Sequence, residues 1–154
     1  MLSIAHCATG AVLAVTLKDP VLVIPAVLAS HYVLDWIPHW DVGTGLSNGS
    51  RKKRDAFVFE LGDLALAGLL VIAMYPAIPF INAELSYSTI LPFFGAFLGL
   101  VPDFIEAPRN FFGWNPWFLK PLNRFHHAVH RSTPNMLKGL SPQIALLIFL
   151  WIVR

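Results

Sequence analysis

The sequence predicts an all-α integral membrane protein, a polytopic bundle of about five helices that forms one domain over residues 1–154. The first reason is composition: 56% of the residues are hydrophobic and the mean hydropathy is +0.61, which is too apolar for an ordinary soluble domain. The second reason is that the apolar residues are gathered into long runs, separated by polar, Gly-rich or Pro-rich stretches.

Five apolar runs are predicted to be helices. The first run lacks a basic start, and Lys18, Asp19 and Pro20 stand where a signal peptide would carry small residues, so we interpret it as a helix. About 20 helical residues are needed to cross the hydrocarbon layer, so the first and last runs fall short of a full span. The predicted helices cover residues 4–17, 21–38, 56–80, 89–103 and 140–153.

The segments between these runs are predicted not to span. Residues 43–55 form a polar loop that ends in a basic cluster, and residues 82–88 form a short loop. Residues 107–138 are rich in Pro, Trp, Phe and basic residues, and we expect them to lie on the membrane surface as an interfacial amphipathic segment. The domain therefore consists of a first hairpin with its basic loop, a second hairpin, and the interfacial segment with the last helix, over residues 1–55, 56–106 and 107–154.

The two hairpins show a short internal similarity. His6 in I-A-H-C-A aligns with Asp63 in L-G-D-L-A. His39 and Asp103, near the ends of the second and fourth runs, each follow a Pro. This pattern favours two related hairpins that face each other and enclose a site with ligands from both.

The basic residues predict the orientation of the bundle. With helices alternating in direction, two basic groups fall on the same side, and the positive-inside rule makes that side cytoplasmic. We expect the cytoplasmic membrane of a bacterium or archaeon, with Trp36, Trp40, Trp114 and Trp117 flanking the basic side and Trp151 near the other face. The two groups are Arg51, Lys52, Lys53 and Arg54, and Arg109, Lys120, Arg124, Arg131 and Lys138.

A polar stripe runs along the second predicted helix, in the stretch S-H-Y-V-L-D-W-I-P-H-W-D at residues 30–41. His31, Asp35 and His39 recur every four residues, so they share one face of a helix whose other residues are largely apolar or aromatic. Two imidazoles and a carboxylate at this spacing can bind a transition metal.

A second His-rich stretch, R-F-H-H-A-V-H-R-S-T-P-N at residues 124–135, offers a chelating pair: His126 or His127 with His130. In the alternating arrangement all six His and most acidic residues gather at the cytoplasmic end, where ionisable groups at membrane depth are usually functional. The single Cys7 excludes a Cys-rich zinc site. We predict one or two divalent cations, with Zn preferred and Mn or Fe as alternatives, bound by His6, His31, Asp35, His39, Asp63, Asp103, His126 and His130.

Further residues at this end are assigned to catalysis and substrate binding. The predicted catalytic residues, as general base or as support for a ligating His, are Asp41, Glu106 and His127. The predicted phosphate-binding residues are Arg109, Arg124 and Arg131, for which a purely topological role is equally well founded. We expect a membrane lipid or lipid-linked phosphoester as the partner and no nucleic acid, and the sequence leaves the oligomeric state open.

Four short patches carry a family resemblance. H-C-A-T-G at residues 6–10, H-Y-V-L-D at residues 31–35, the adjacent W-I-P-H-W-D and the His cluster at residues 126–130 resemble the small membrane-bound metal-dependent hydrolases. The H-x-x-x-D element is also similar to that of zinc-dependent phospholipase C. The resemblance implies a helical membrane hydrolase with metal ligands at His6, His31, Asp35 and His39, while the order and spacing of the later motifs depart from the family pattern.

Two other functions remain open. F-H-H-A-V-H-R-S-T-P-N is similar to one histidine box of the di-iron lipid hydroxylases and sterol desaturases, although six His residues require carboxylates to complete such a site. Intramembrane His and Asp residues also occur along the ion paths of metal-ion and proton transporters. Against transport, the outer halves of the predicted helices, such as residues 64–73 and 90–99, carry no charge.

Overall fold

A computed structural model describes residues 1–46, 49–76 and 86–154, and these residues form six helices and no β-strand, which confirms the all-α prediction. The predicted loop at residues 82–85 and the predicted helix end at residues 77–80 lie outside the described residues. The helices are α1 (Ser3–Leu17), α2 (Pro20–Trp36), α3 (Lys53–Met74), α4 (Tyr87–Phe112), α5 (Lys120–Val129) and α6 (Met136–Val153).

The region between Asp103 and α6 differs from the prediction. α4 continues past Asp103 to Phe112 although Pro102 and Pro108 lie inside it, because each Pro removes one backbone donor without ending the packed helix. The helix ends at Gly113, whose φ of 70° is the left-handed conformation that glycine favours at a helix terminus. The segment predicted to be interfacial therefore contains the end of α4 and the separate helix α5.

By length and composition, three helices of the described chain can cross a membrane, namely α3, α4 and α6. α6 begins at Met136, earlier than predicted, so the last apolar run reaches 18 residues and is long enough to span. α1 and α2 are apolar but shorter, as expected for α1. These findings support an integral membrane protein.

α1 is the central helix and packs against α2, α3, α4 and α6. Its closest neighbour is α4, because Gly95 and Gly99 form a small-xxx-small pair that allows the two backbones to approach. A Cβ atom added at Gly95 would lie 2.2 Å from the carbonyl oxygen of Gly10, and one at Gly99 would lie 2.5 Å from that of His6. Glycine is required at both positions, and this close contact fixes α1 beside the part of α4 that precedes Asp103.

The helices alternate in direction as expected. The start of α1 contacts the first half of α3, where the backbone N–H of Ser3 donates to Asp63 (2.5 Å), and the Tyr87 hydroxyl at the start of α4 donates to the carbonyl of Lys18 just after α1. The ends of α3 and α6 also meet, because the Arg154 guanidinium donates to the carbonyl of Met74 at 3.1 Å. α1, α3 and α6 therefore run one way, and α2 and α4 run the other way. Both basic groups consequently lie at the end of the bundle where α1 begins.

Candidate metal centre

Eight His and Asp side chains meet at this end of the bundle, and we call them the His/Asp cluster. They come from the start of α1, the end of α2, the C-terminal part of α4, α5, and the segments that follow α2 and α5. Each has a polar atom within 4.0 Å of another member of the group. The members are His6, His31, Asp35, His39, Asp41, Asp103, His126 and His130.

Asp35 lies at the centre of the His/Asp cluster and is fully buried. Its Oδ2 atom is 2.8 Å from His126 Nε2 and 3.4 Å from His31 Nε2. Its Oδ1 atom is 3.2 Å from His6 Nε2 and 3.8 Å from His39 Nε2. The two carboxylate oxygens therefore face two different groups of imidazoles.

The first donor set consists of His31, Asp35, Asp103 and His126, whose ligand atoms all lie within 4.8 Å of one another. Asp103 Oδ1 completes the set at 3.6 Å from His31 Nε2 and 3.8 Å from His126 Nε2. Tetrahedral zinc with ligands at about 2.0–2.2 Å separates neighbouring ligand atoms by about 3.3–3.6 Å. The spacing of these four donors fits one divalent cation.

A backbone contact sets the tautomer of His31. Its Nδ1–H donates to the carbonyl oxygen of Gly99 at 2.7 Å, so the Nε2 atom of the neutral imidazole directs a lone pair at Asp35 and Asp103. Among the described residues this buried Nε2 atom has no hydrogen-bond partner. Proteins commonly orient a metal-binding imidazole through a hydrogen bond donated by its other ring nitrogen.

The second donor set consists of Asp35, His39 and His130, and it shares Asp35 with the first. The Nε2 atoms of His39 and His130 are 3.1 Å apart, and both lie 3.0 Å from Asp41 Oδ2. His39 Nδ1–H donates to the carbonyl of Ile37 at 2.8 Å, so its Nε2 atom faces the set. Asp41, predicted as a catalytic residue, therefore lies against both imidazoles.

Backbone hydrogen bonds hold the segments that carry the second donor set. The N–H of Arg131 donates to the carbonyl of Asp35 (2.9 Å), and the N–H of His39 donates to the carbonyl of Arg131 (3.0 Å). The N–H of Thr133 then donates to the carbonyl of His39 at 2.7 Å. This short bridge fixes His39 and His130 opposite each other.

Two members of the cluster that lie outside the membrane-spanning helices have shifted pKa values. Burial works to raise the pKa of Asp41, but the facing imidazoles of His130 and His39 outweigh it and hold this pKa well below its usual range. Burial works to lower the pKa of His126, but its contact with Asp35 and the nearby Glu106 carboxylate outweigh burial and raise this pKa above the ordinary value. Asp41 is thus ionised, and the carboxylates around His126 favour positive charge at that position.

Glu106 lies beside the His/Asp cluster and contacts the imidazole of His126. Its Oε2 atom lies 3.6 Å from His126 Nδ1, and its carboxylate is paired with Arg109. Arg109 also donates to the carbonyl of Asn123 at 3.4 Å, which ties the end of α4 to α5. Arg109 and Glu106 therefore form one pair beside a ligand imidazole.

Several predicted site residues lie outside both donor sets. Asp63 accepts hydrogen bonds from the N–H groups of Ser3 (2.5 Å) and Ile4 (3.3 Å), so it caps the start of α1. His127 and Arg124 are exposed on α5, and the Arg131 guanidinium lies 4.9 Å from the centre of the Trp36 ring. His6 contacts Asp35 and stacks on His31 with ring centroids 3.9 Å apart, which makes it a neighbour of the first set.

Two supporting residues were missed by reasoning from the sequence. The carbonyl of Gly99 orients His31, and the G-A-F-L-G spacing of residues 95–99 was a signal for close helix packing that could have located it. Buried Gln143 accepts from Leu2 N–H (2.8 Å) and donates to the carbonyl of Trp40 (2.7 Å). No sequence pattern indicated that bridge, because its partners are backbone atoms distant along the chain.

Comparison with known proteins identifies no relative. No family model, no curated protein and no solved structure matches this chain. The function of the His/Asp cluster is therefore inferred from its own donors, burial and position.

Proposed function

We propose that the chain is a membrane-embedded hydrolase that binds a divalent cation in the first donor set and cleaves a phosphoester of a lipid or lipid-linked substrate at the cytoplasmic face. The observation that carries the proposal is the environment of His31. Its buried Nε2 atom has no hydrogen-bond partner among the described residues, although it lies 3.4 Å from Asp35 Oδ2 and 3.6 Å from Asp103 Oδ1. Lone pairs brought together in this way repel each other, and a divalent cation turns the repulsion into coordination.

The donor chemistry narrows the choice of metal. Two imidazoles and two carboxylates suit Zn, Mn or Fe, and the set contains no thiolate of the kind that closes structural zinc sites. Asp103 is 31% exposed whereas the other three side chains are almost fully buried. A cation in this set would therefore be held on its buried side by His31, Asp35 and His126, and water and substrate would reach it near Asp103.

The surroundings favour a phospholipid substrate. Three arginines lie at the same end of the bundle, of which Arg124 and Arg131 are exposed and Arg109 is half-buried. Guanidinium groups bind phosphate oxygens in pairs, and anionic headgroups gather at the same membrane surface. The positive-inside rule assigns this end to the cytoplasm.

The reaction we infer is phosphoester hydrolysis. A bound cation lowers the pKa of water and polarises a phosphoryl oxygen. The water oxygen forms a bond to phosphorus, the ester P–O bond breaks, and the leaving oxygen takes up the proton that the water loses. Glu106 lies outside both donor sets and 3.6 Å from His126 Nδ1, so it is the carboxylate available to carry that proton.

Metal analysis combined with an activity assay tests the proposal. The protein purified in detergent is expected to hold Zn, Mn or Fe, and His31→Ala and Asp103→Asn are expected to lose it, while Asp55→Asn, at an exposed carboxylate on α3, retains it. Headgroup or phosphate release from a panel of phospholipid vesicles should stop when a chelator is added. Folded protein that takes up no divalent metal, or metal-loaded protein that is inactive on the whole panel, would contradict the proposal.

A second candidate is an oxygen-dependent lipid hydroxylase with two irons. One observation favours it: Asp35 belongs to both donor sets, and each set also contains imidazoles. Iron accepts imidazole and carboxylate donors, so the two sets together suit a pair of irons. Iron as the purified metal, together with oxygen consumption in the presence of lipid and a reductant, would select this function over hydrolysis.

A further inference from the structure

We propose that the His/Asp cluster is a dinuclear centre, in which a second divalent cation is bound by His39, Asp41, His130 and the Oδ1 atom of Asp35. This inference rests on the proposed function, because the first cation is the one assigned there to the first donor set. It deepens that function by adding a second ion, so that the attacking and the leaving oxygens of the phosphoester each have a cation beside them.

The spacing of the second group matches that of a metal site. His39 Nε2 lies 3.1 Å from His130 Nε2, 3.0 Å from Asp41 Oδ2 and 3.8 Å from Asp35 Oδ1. His130 Nε2 is also 3.0 Å from Asp41 Oδ2. Neighbouring ligands of tetrahedral zinc are separated by about 3.3–3.6 Å, so the distances from His39 Nε2 to the other three donors are close to those around one ion.

The hydrogen bond from His39 to Ile37 limits what this imidazole can offer to the carboxylates of the group. Because His39 Nδ1–H donates to Ile37, a neutral His39 has only a lone pair to direct at the carboxylates of Asp35 and Asp41. A hydrogen bond from His39 to Asp41 then requires a second proton on the imidazole. A cation takes the place of that proton and accepts from every donor at once.

Asp35 is suited to bridge two ions. Its side chain is fully buried, and its backbone carbonyl is held by the N–H of Arg131. Its Oδ2 atom faces the first donor set, while its Oδ1 atom lies 3.8 Å from His39 Nε2 and pairs with the Met1 amino group, which a second ion would displace. Paired metal ions in hydrolytic enzymes lie about 3.5–4 Å apart, a separation that a single carboxylate can bridge.

Each donor set has one member that solvent reaches. Asp103 is 31% exposed in the first set and His130 is 29% exposed in the second, whereas Asp35, His31 and His39 are buried. Each ion bound here would therefore have an open edge. Two ions with open edges would stabilise the attacking and the leaving oxygens of a phosphoryl group.

Metal stoichiometry and electron paramagnetic resonance test the second ion directly. Purified protein saturated with Mn²⁺ is expected to bind two ions per chain, with a spectrum broadened by coupling between them. Asp41→Asn and His130→Ala are each expected to bind one ion and to give the six-line spectrum of isolated Mn²⁺. Asp55→Asn, the exposed control, keeps two coupled ions, and unfolding midpoints in detergent verify that each variant is folded.

The outcomes separate this inference from the proposed function. One ion in the unmodified protein, or two uncoupled ions, or two ions retained in both variants, overturns the dinuclear centre even if the protein hydrolyses phospholipid. Two coupled ions in a protein that hydrolyses no phospholipid support the dinuclear centre and remove the hydrolase. Protein that binds no ion overturns both.

Discussion

His31 Nδ1 donates a 2.7 Å hydrogen bond to the carbonyl oxygen of Gly99, and the same glycine brings α4 against α1. Helix packing and imidazole orientation therefore depend on one residue. A side chain at position 99 would push α4 away from α1 and move the carbonyl that fixes the His31 tautomer.

We predict that Gly99→Ala weakens metal binding at least tenfold, as loss of outer hydrogen bonds to ligands usually does, and destabilises the protein by about 1–3 kcal/mol through overpacking. The added Cβ atom would lie 2.5 Å from the His6 carbonyl oxygen. Gly68→Ala is the matched control, because no described atom lies within 4 Å of its new Cβ and alanine favours the helix by up to about 1 kcal/mol. Metal titration and unfolding in detergent measure both effects. Equal behaviour of the two variants would refute the link between packing and metal binding.

Glu106→Gln distinguishes two roles for this carboxylate. Because Glu106 lies 3.6 Å from His126 Nδ1, we expect it to position the imidazole and therefore predict a 10- to 100-fold loss of metal affinity, about the range for such partners. Isothermal titration with Zn²⁺ measures the change, and Asp55→Asn serves as the exposed control. Unchanged affinity with abolished hydrolysis would instead make Glu106 the proton acceptor.

Gln143→Leu is predicted to destabilise the bundle without a change of charge. The substitution leaves the N–H of Leu2 and the carbonyl of Trp40 without their buried partner, at a cost of about 2–4 kcal/mol. Ser141→Ala is the control on the same helix, since that exposed hydroxyl bonds to the Lys138 carbonyl of its own turn. Unfolding midpoints in detergent should fall for the first variant and not for the second. Equal midpoints would show that water replaces the lost amide.

Arg51 holds the segment after the cluster in place. Its guanidinium lies 5.0 Å from the centre of the Trp40 ring and 5.6 Å from that of Phe59, and it donates to the Val42 carbonyl at 2.8 Å. We predict that Arg51→Ala costs about 1 kcal/mol locally, which is about fivefold faster hydrogen exchange over residues 40–46. Lys52→Ala removes an equal charge at an exposed neighbour and should leave that exchange unchanged. The same acceleration in both variants would mean that charge rather than stacking holds the segment.

Chemical labelling tests the orientation of the bundle. Buried Cys7 is the single native cysteine, so Cys7→Ala provides a background for Lys52→Cys and Ser88→Cys, which lie at opposite ends. In right-side-out vesicles an impermeant maleimide should label Ser88→Cys at once and Lys52→Cys after lysis. The reverse order would place the His/Asp cluster on the outer side.

The all-α class and the grouping of the His and Asp ligands at one end of the bundle could be predicted from the sequence by simple rules. Spacing by four residues places His31 and Asp35 on one face, and alternating helix direction brings Asp103 to the same level. Asp63 satisfied the same rules, yet it caps α1. Sequence position gives the depth of a residue in a bundle, whereas the direction in which it points depends on helix rotation, which packing determines.

The details that orient the ligands could not be predicted. The partners of His31 and His39 are the backbone carbonyls of Gly99 and Ile37, which every residue possesses and no composition reveals. The extension of α4 beyond Asp103 was missed because the prediction ended the helix near a proline that the packed structure tolerates.

The position of α1 has a consequence for the choice of membrane. Most of the surface of α1 packs against other helices rather than against acyl chains. The length of this helix therefore need not match the thickness of the bilayer. In a thinner or thicker bilayer the strain is expected to fall on α3, α4 and α6, whose apolar faces are largely open to lipid. α1, which carries His6, is shielded from that mismatch because α2, α3, α4 and α6 surround it.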